Sequence, residues 1–134
     1  MSERGEIKNL SQARQVPLFS GIKIGNITPT DIDLFMDYHN ELFIFAEVKL
    51  KGTEIARGQK LAIKRLCDNC EMSGKDKKSI AFIAEHSCFP PSDIDMANAI
   101  VTEYRYNFKW RRPESASLLL VDAINNFISK YRRT

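Results

Sequence analysis

The chain has 134 residues, enough for one hydrophobic core, and the expectation is a single domain over 1–134. At 43% hydrophobic and 28% charged residues it is not disordered, and its apolar runs, such as Leu42 to Ala46 and Leu118 to Val121, are far too short to span a bilayer. The formal net charge of +3 is compatible with a polyanionic partner without requiring one.

Residues 2 to 16 are polar, with Ile7, Leu10 and Ala13 at three-residue steps, which predicts a weak amphipathic helix closed by Pro17. No apolar stretch follows the first residues, which reads against a secretory signal. Asp31 to Asp37 predicts a strand, Tyr38-His39-Asn40-Glu41 a turn, and Leu42 to Leu50 a second strand rich in β-formers. The nearly continuous hydrophobicity of that second strand predicts a central position covered on both faces. Lys51-Gly52-Thr53 breaks the pattern. A helix is expected from about Arg57 to Met72, with Ala62, Ile63, Leu66, Cys67 and Cys70 on its apolar face.

Ser79 to Glu85 predicts a third strand, and Ala99 to Tyr106 a fourth with Ile100, Thr102, Tyr104 and Tyr106 on one side. Beyond Pro113, Leu120, Ile124, Phe127, Ile128 and Tyr131 mark a C-terminal helix. A strand-helix-strand unit in one sheet runs parallel. The expected fold is therefore α/β, of the α+β kind: a mixed central β-sheet flanked by helices.

Glu47 and Lys49 interrupt an apolar strand. Residues two apart on a strand point the same way, so the two share a face near the strand's C-terminal end. A hairpin turning near His39-Asn40 pairs residues whose numbers sum to about 79 or 80, which brings Glu47 opposite the region of Asp31 and Asp33. Converging carboxylates repel one another unless a cation lies between them. Hard oxygen ligands of this kind suit Mg²⁺ or Mn²⁺, which activates water and stabilises charge on a phosphate, while a lysine orients the water or neutralises developing charge.

Thr30-Asp31-Ile32-Asp33 followed by Glu47-Val48-Lys49 resembles the D…(D/E)xK signature of the PD-(D/E)xK nuclease superfamily, which includes Holliday-junction resolvases, VRR-NUC domains and many restriction endonucleases. The resemblance covers roughly residues 1 to 106. It implies a restriction-endonuclease-like core in αβββαβ order and a metal-dependent nuclease acting on DNA. It also implies Asp33 and Glu47 as metal ligands, the Val48 carbonyl as a further ligand, and Lys49 as the motif's lysine. Ile32 stands where the motif has proline, so Asp31 competes with Asp33 for the first ligand. Gln59 corresponds to the glutamine many members hold beside the site, and Glu3 or Glu6 to an acid some members carry on a first helix.

Lys51, Lys109, Trp110, Arg111 and Arg112 are the candidate nucleic-acid contacts, since a basic-aromatic cluster can grip phosphates and stack on bases. So small a chain has little room for a separate recognition domain, so the expected substrate is defined by structure or ends. A homodimer would supply two sites for two strands. The alternative is a non-catalytic nucleic-acid-binding or protein-interaction module. Cys67, Cys70 and Cys88 form an odd set that reads as reduced thiols in a cytoplasmic setting. Cys67-Asp68-Asn69-Cys70 with His86-Ser87-Cys88 suggests zinc only superficially, because the two pairs belong at opposite ends of a helix-strand unit. His86 is expected at the Glu47-Lys49 end of the sheet.

Overall fold

The computed structural model describes residues 15, 16 and 18–134. The helix expected over residues 2–16, with Glu3, Glu6 and the closing Pro17, lies outside the described residues apart from residues 15 and 16. The chain divides into two compact units, 1–30 and 31–134. In the first, Ile24 and Ile27 form an antiparallel bridge, with both N–H···O bonds at 2.9 Å.

The second unit is a five-stranded mixed sheet with two helices. Its strands are β1 (Leu34–Tyr38), β2 (Leu42–Leu50), β3 (Lys78–His86), β4 (Ile100–Tyr106) and β5 (Lys109–Arg111), adjacent in that order. Helix α1 (Arg57–Met72) joins β2 to β3, and helix α2 (Leu120–Tyr131) ends the chain. β2 and β3 are parallel, as a helical crossover requires, and the other pairs are antiparallel. β5 is not foreseen by the sequence pattern, because Lys109-Trp110-Arg111 reads as a basic cluster. It forms because Asn107 and Phe108 turn the chain in the left-handed region, with φ of 51° and 65°.

His39 and Asn40 do the same at the β1–β2 hairpin, with φ of 53° and 56°. That two-residue turn pairs Leu34 with Ala46 and Tyr38 with Leu42, a constant sum of 80. β1 begins at Leu34, three residues later than the sequence pattern suggests. Asp33 instead turns its side chain to the ladder, where Oδ2 accepts the Val48 N–H at 2.8 Å.

Alternation along the strands sends one set of side chains to each helix. Leu42, Ile44, Ala46, Ile80, Phe82, Ala84 and Val101 pack with Leu120, Ala123, Ile124 and Phe127 of α2. Phe45 and Ala81 pack on the other face with Ile63 and Cys67 of α1. A bulge between Ile83 and Ala84 shifts the β3–β4 register, so Val101, not Thr102, joins Tyr104 and Tyr106 on the α2 side. Two ion pairs tie α1 to β4. Arg105 donates Nε and Nη2 to the Asp68 carboxylate at 3.0 and 2.8 Å, and Lys60 Nζ meets Glu103 at 2.8 Å. No helix among the described residues is long and apolar enough to cross a membrane.

Candidate active site

Glu47 and Lys49 belong to the face of β2 that also carries Phe45, the α1 face. Extending the β1–β2 register by one residue brings Asp33 opposite Glu47. Asp33, Glu47, Val48, Lys49 and Gln59 line one cavity of 220 Å³, together with Glu54, Ile55 and Ile83. Strand β2 supplies Glu47 and Lys49, the lead into β1 supplies Asp33, and the first turn of α1 supplies Gln59.

The loop between β2 and α1 shapes the rim. Thr53 N–H and Thr53 Oγ1 both donate to the Leu50 carbonyl, at 3.0 and 2.6 Å, closing a turn over Lys51-Gly52. Gly52 has φ of 88°, a conformation that a side chain would strain. The chain then passes Glu54 and Ile55 and enters α1 at Ala56, which offers no side-chain cap, and the helix's first turn carries no acidic residue.

Glu47 is 6% exposed, and its Oε1 has no hydrogen-bond partner. Burial first, and the adjoining Asp33 carboxylate second, push its carboxyl up from 4.5 to about 8. A backbone hydrogen bond from Asp33 opposes the rise, and Asp31 adds a smaller upward push by its charge. A proton therefore stays on Glu47 near neutral pH when nothing else compensates the buried charge. The residues present fit a divalent cation as the alternative compensation. Three carboxylates, Asp33, Glu47 and Glu54, line one cavity with Val48, and Glu47 holds an orphaned buried oxygen. Among the described residues no three His, Cys, Asp or Glu side chains are grouped as a ligand set, so an ion held by Asp33 and Glu47 would complete its shell from backbone, water and substrate oxygens.

The other expected residues are distributed more widely. Asp31 is exposed and lies outside the cavity lining. Lys51 is exposed in the turn, its N–H bonded to the His86 carbonyl at 2.8 Å. That bond and the pairing of Leu50 with His86 put His86 at the Glu47–Lys49 end of the sheet, where its Nδ1 accepts the Cys88 N–H at 3.1 Å. Arg112 lines a second cavity that shares Lys49, Glu54, Ile55 and Ile83 with the first. Lys109 and Arg111 belong to the opposite face of the sheet, paired with Tyr106 and Tyr104, and the Arg111 guanidinium lies 5.9 Å from the Tyr106 ring centre. Trp110 packs against the α1-side core with Lys60 Nζ 4.7 Å from its ring centre, so its ring is a wall of the fold. Cys67 is a core residue whose thiol burial pushes up to about 12.

Comparison with protein-family models, with curated proteins and with solved structures finds no match to this chain. The site therefore stands on its own geometry. Glu54 is the lining residue that motif spacing did not reveal. The signal for it was topological: a loop leaving the C-terminal end of β2 for α1 must cross the mouth of a site built at that end.

Proposed function

We propose that this protein is a divalent-metal-dependent nuclease of the PD-(D/E)xK type that hydrolyses DNA phosphodiester bonds, directed by the structure or ends of its substrate. The observation that carries this reading is the cavity shared by Asp33, Glu47, Val48, Lys49 and Gln59, with Glu47 Oε1 buried and unpartnered inside it. Asp33 and Glu47 are the residues that would hold Mg²⁺ or Mn²⁺, with the Val48 carbonyl beside them. Such an ion supplies an acidified water and a Lewis acid for the phosphate oxygens.

The chain's own groups do the rest. Asp33 stays anchored through the Val48 N–H, which fixes its carboxylate relative to Glu47. Glu47 is the group that would shed its proton to hold such an ion, changing from a neutral acid to a ligand. Lys49 brings an ammonium into the cavity, where it orients the attacking water and offsets the charge that builds on the phosphoryl oxygens. The Gln59 amide can hold a water or a phosphate oxygen in place.

The test is a cleavage assay on linear, single-stranded, flapped and branched DNA with Mg²⁺, Mn²⁺ or EDTA. Metal-dependent cleavage is expected, with Glu47→Ala and Lys49→Ala each lowering the rate by at least about 100-fold. Cleavage that survives both substitutions sinks the proposal. DNA binding with no cleavage under any metal would instead favour a nucleic-acid-binding module.

A further inference from the structure

The cavity beside the candidate site has different chemistry. It measures 520 Å³, opens between the start of α1 and the segment after β5, and shares Lys49 with the site. Four cations line it: Lys49, Arg57, Lys60 and Arg112, against Glu54 and Glu103. Lys60 and Glu103 neutralise each other at 2.8 Å. Lys49, Arg57 and Arg112 remain against Glu54 alone, and none of the three makes an ion pair among the described residues. Arg57 and Arg112 are both exposed, on segments held together by the Lys60–Glu103 pair and by β5.

A groove with excess positive charge suits a phosphodiester backbone, since arginine forks match phosphate oxygens. Like cations held side by side repel one another, and a polyanion relieves that repulsion while releasing its own condensed counterions. We infer that this groove seats the sugar-phosphate backbone of the nucleic-acid strand next to the cleaved bond, with Arg57 and Arg112 contacting successive phosphates. The inference rests on the nuclease reading and gives it a direction: the strand leaves the site past α1 toward β4 and β5, not along the opposite face, where Arg111 and Lys130 lie.

The test measures binding of a fluorescent single-stranded 12-mer oligothymidylate, and of a mixed-sequence 12-mer, to the full chain in EDTA across a salt series. Arg57→Ala/Arg112→Ala is expected to weaken binding of both by about tenfold or more, and to reduce the slope of log Kd against log salt by about 0.7 per lost phosphate contact. Arg57→Lys/Arg112→Lys should recover most of the slope. Arg111→Ala/Lys130→Ala removes the same charge from the other face and should change the slope little. A slope that falls with the second pair and not the first overturns the groove assignment while leaving the nuclease reading standing. A wild-type chain that neither binds these strands nor cleaves any DNA overturns both.

Discussion

The two faces of the sheet are built from the same strands and serve opposite ends. The face toward α2 is apolar from Leu42 to Ala84 and closes on Leu120, Ala123, Ile124 and Phe127. The face toward α1 keeps a small apolar patch of Phe45, Ala81, Ile63 and Cys67, and also buries Glu47 and Arg105. Arg105 is matched by a two-pronged pair with Asp68, so its charge is satisfied within the fold. Glu47 is not matched, and one of its oxygens has no partner at all. One face therefore holds the unit together, while the other carries an unmet electrostatic demand at the C-terminal end of β2. A protein under selection for stability alone has no reason to keep such a group.

The contrast between the faces breaks first if the α2 face is not where stability resides. Leu120 is 1% exposed at the centre of that cluster, and Leu120→Ala removes transfer energy and leaves a cavity. Chemical denaturation should show a loss of about 3 kcal/mol. A loss below about 1 kcal/mol would mean that the helix collapses onto the sheet and that the face is not close-packed.

A second effect concerns Glu47 and depends on pH. Its carboxyl rises from 4.5 in the unfolded chain to about 8 in the folded one. The folded state then binds a proton that the unfolded state has released, so the Glu47 contribution is complete below pH 4.5 and is lost as pH rises through about 8. Metal-free protein should lose stability across that window relative to Glu47→Gln. The variant should be the more stable by at least about 2 kcal/mol at about pH 8. Millimolar Mg²⁺ should restore the wild type at that pH and do nothing for Glu47→Gln. Parallel pH profiles for the two proteins, or no response to Mg²⁺, would remove the electrostatic contrast between the faces.

Much of this was legible in the sequence, for reasons tied to particular residues. The apolar run from Leu42 to Ala46 reads as a central strand, and β2 does lie between β1 and β3. Helix α1 runs from Arg57 to Met72 as its 3.6-residue period implies. The two-residue hairpin at His39-Asn40 sets the register sum at 80, which brings Asp33 against Glu47. What escaped was non-periodic. The bulge at Ile83/Ala84 exchanges Val101 for Thr102 on the α2 face, and a bulge leaves no periodic trace in one strand's sequence. β5 is three residues long, too short for alternation to register. Asp31 and Asp33 look alike in sequence because they lie two apart in one predicted strand, and the Val48 N–H and the cavity lining distinguish them.

That distinction supplies the smallest and sharpest prediction. Asp33 has two separable roles: its oxygen holds the Val48 N–H at the start of β1, and its charge faces Glu47. Asp33→Asn keeps an acceptor oxygen and removes the charge; Asp33→Ala removes both. The alanine variant leaves the Val48 N–H to solvent and should be less stable than the asparagine variant by up to about 1 kcal/mol. Asp33→Asn also relieves Glu47 of a neighbouring negative charge, so the fall in stability between pH 4.5 and about 8 should be shallower than in the wild type, though not abolished, because burial is the larger cause of the shift. Both variants should lose the Mg²⁺ response, whereas Asp31→Asn, exposed and outside the cavity, should keep it. If Asp33→Asn still gains stability from Mg²⁺ and Asp31→Asn does not, the first ligand is Asp31, and the cavity must then open toward the lead into β1 and not toward Gln59.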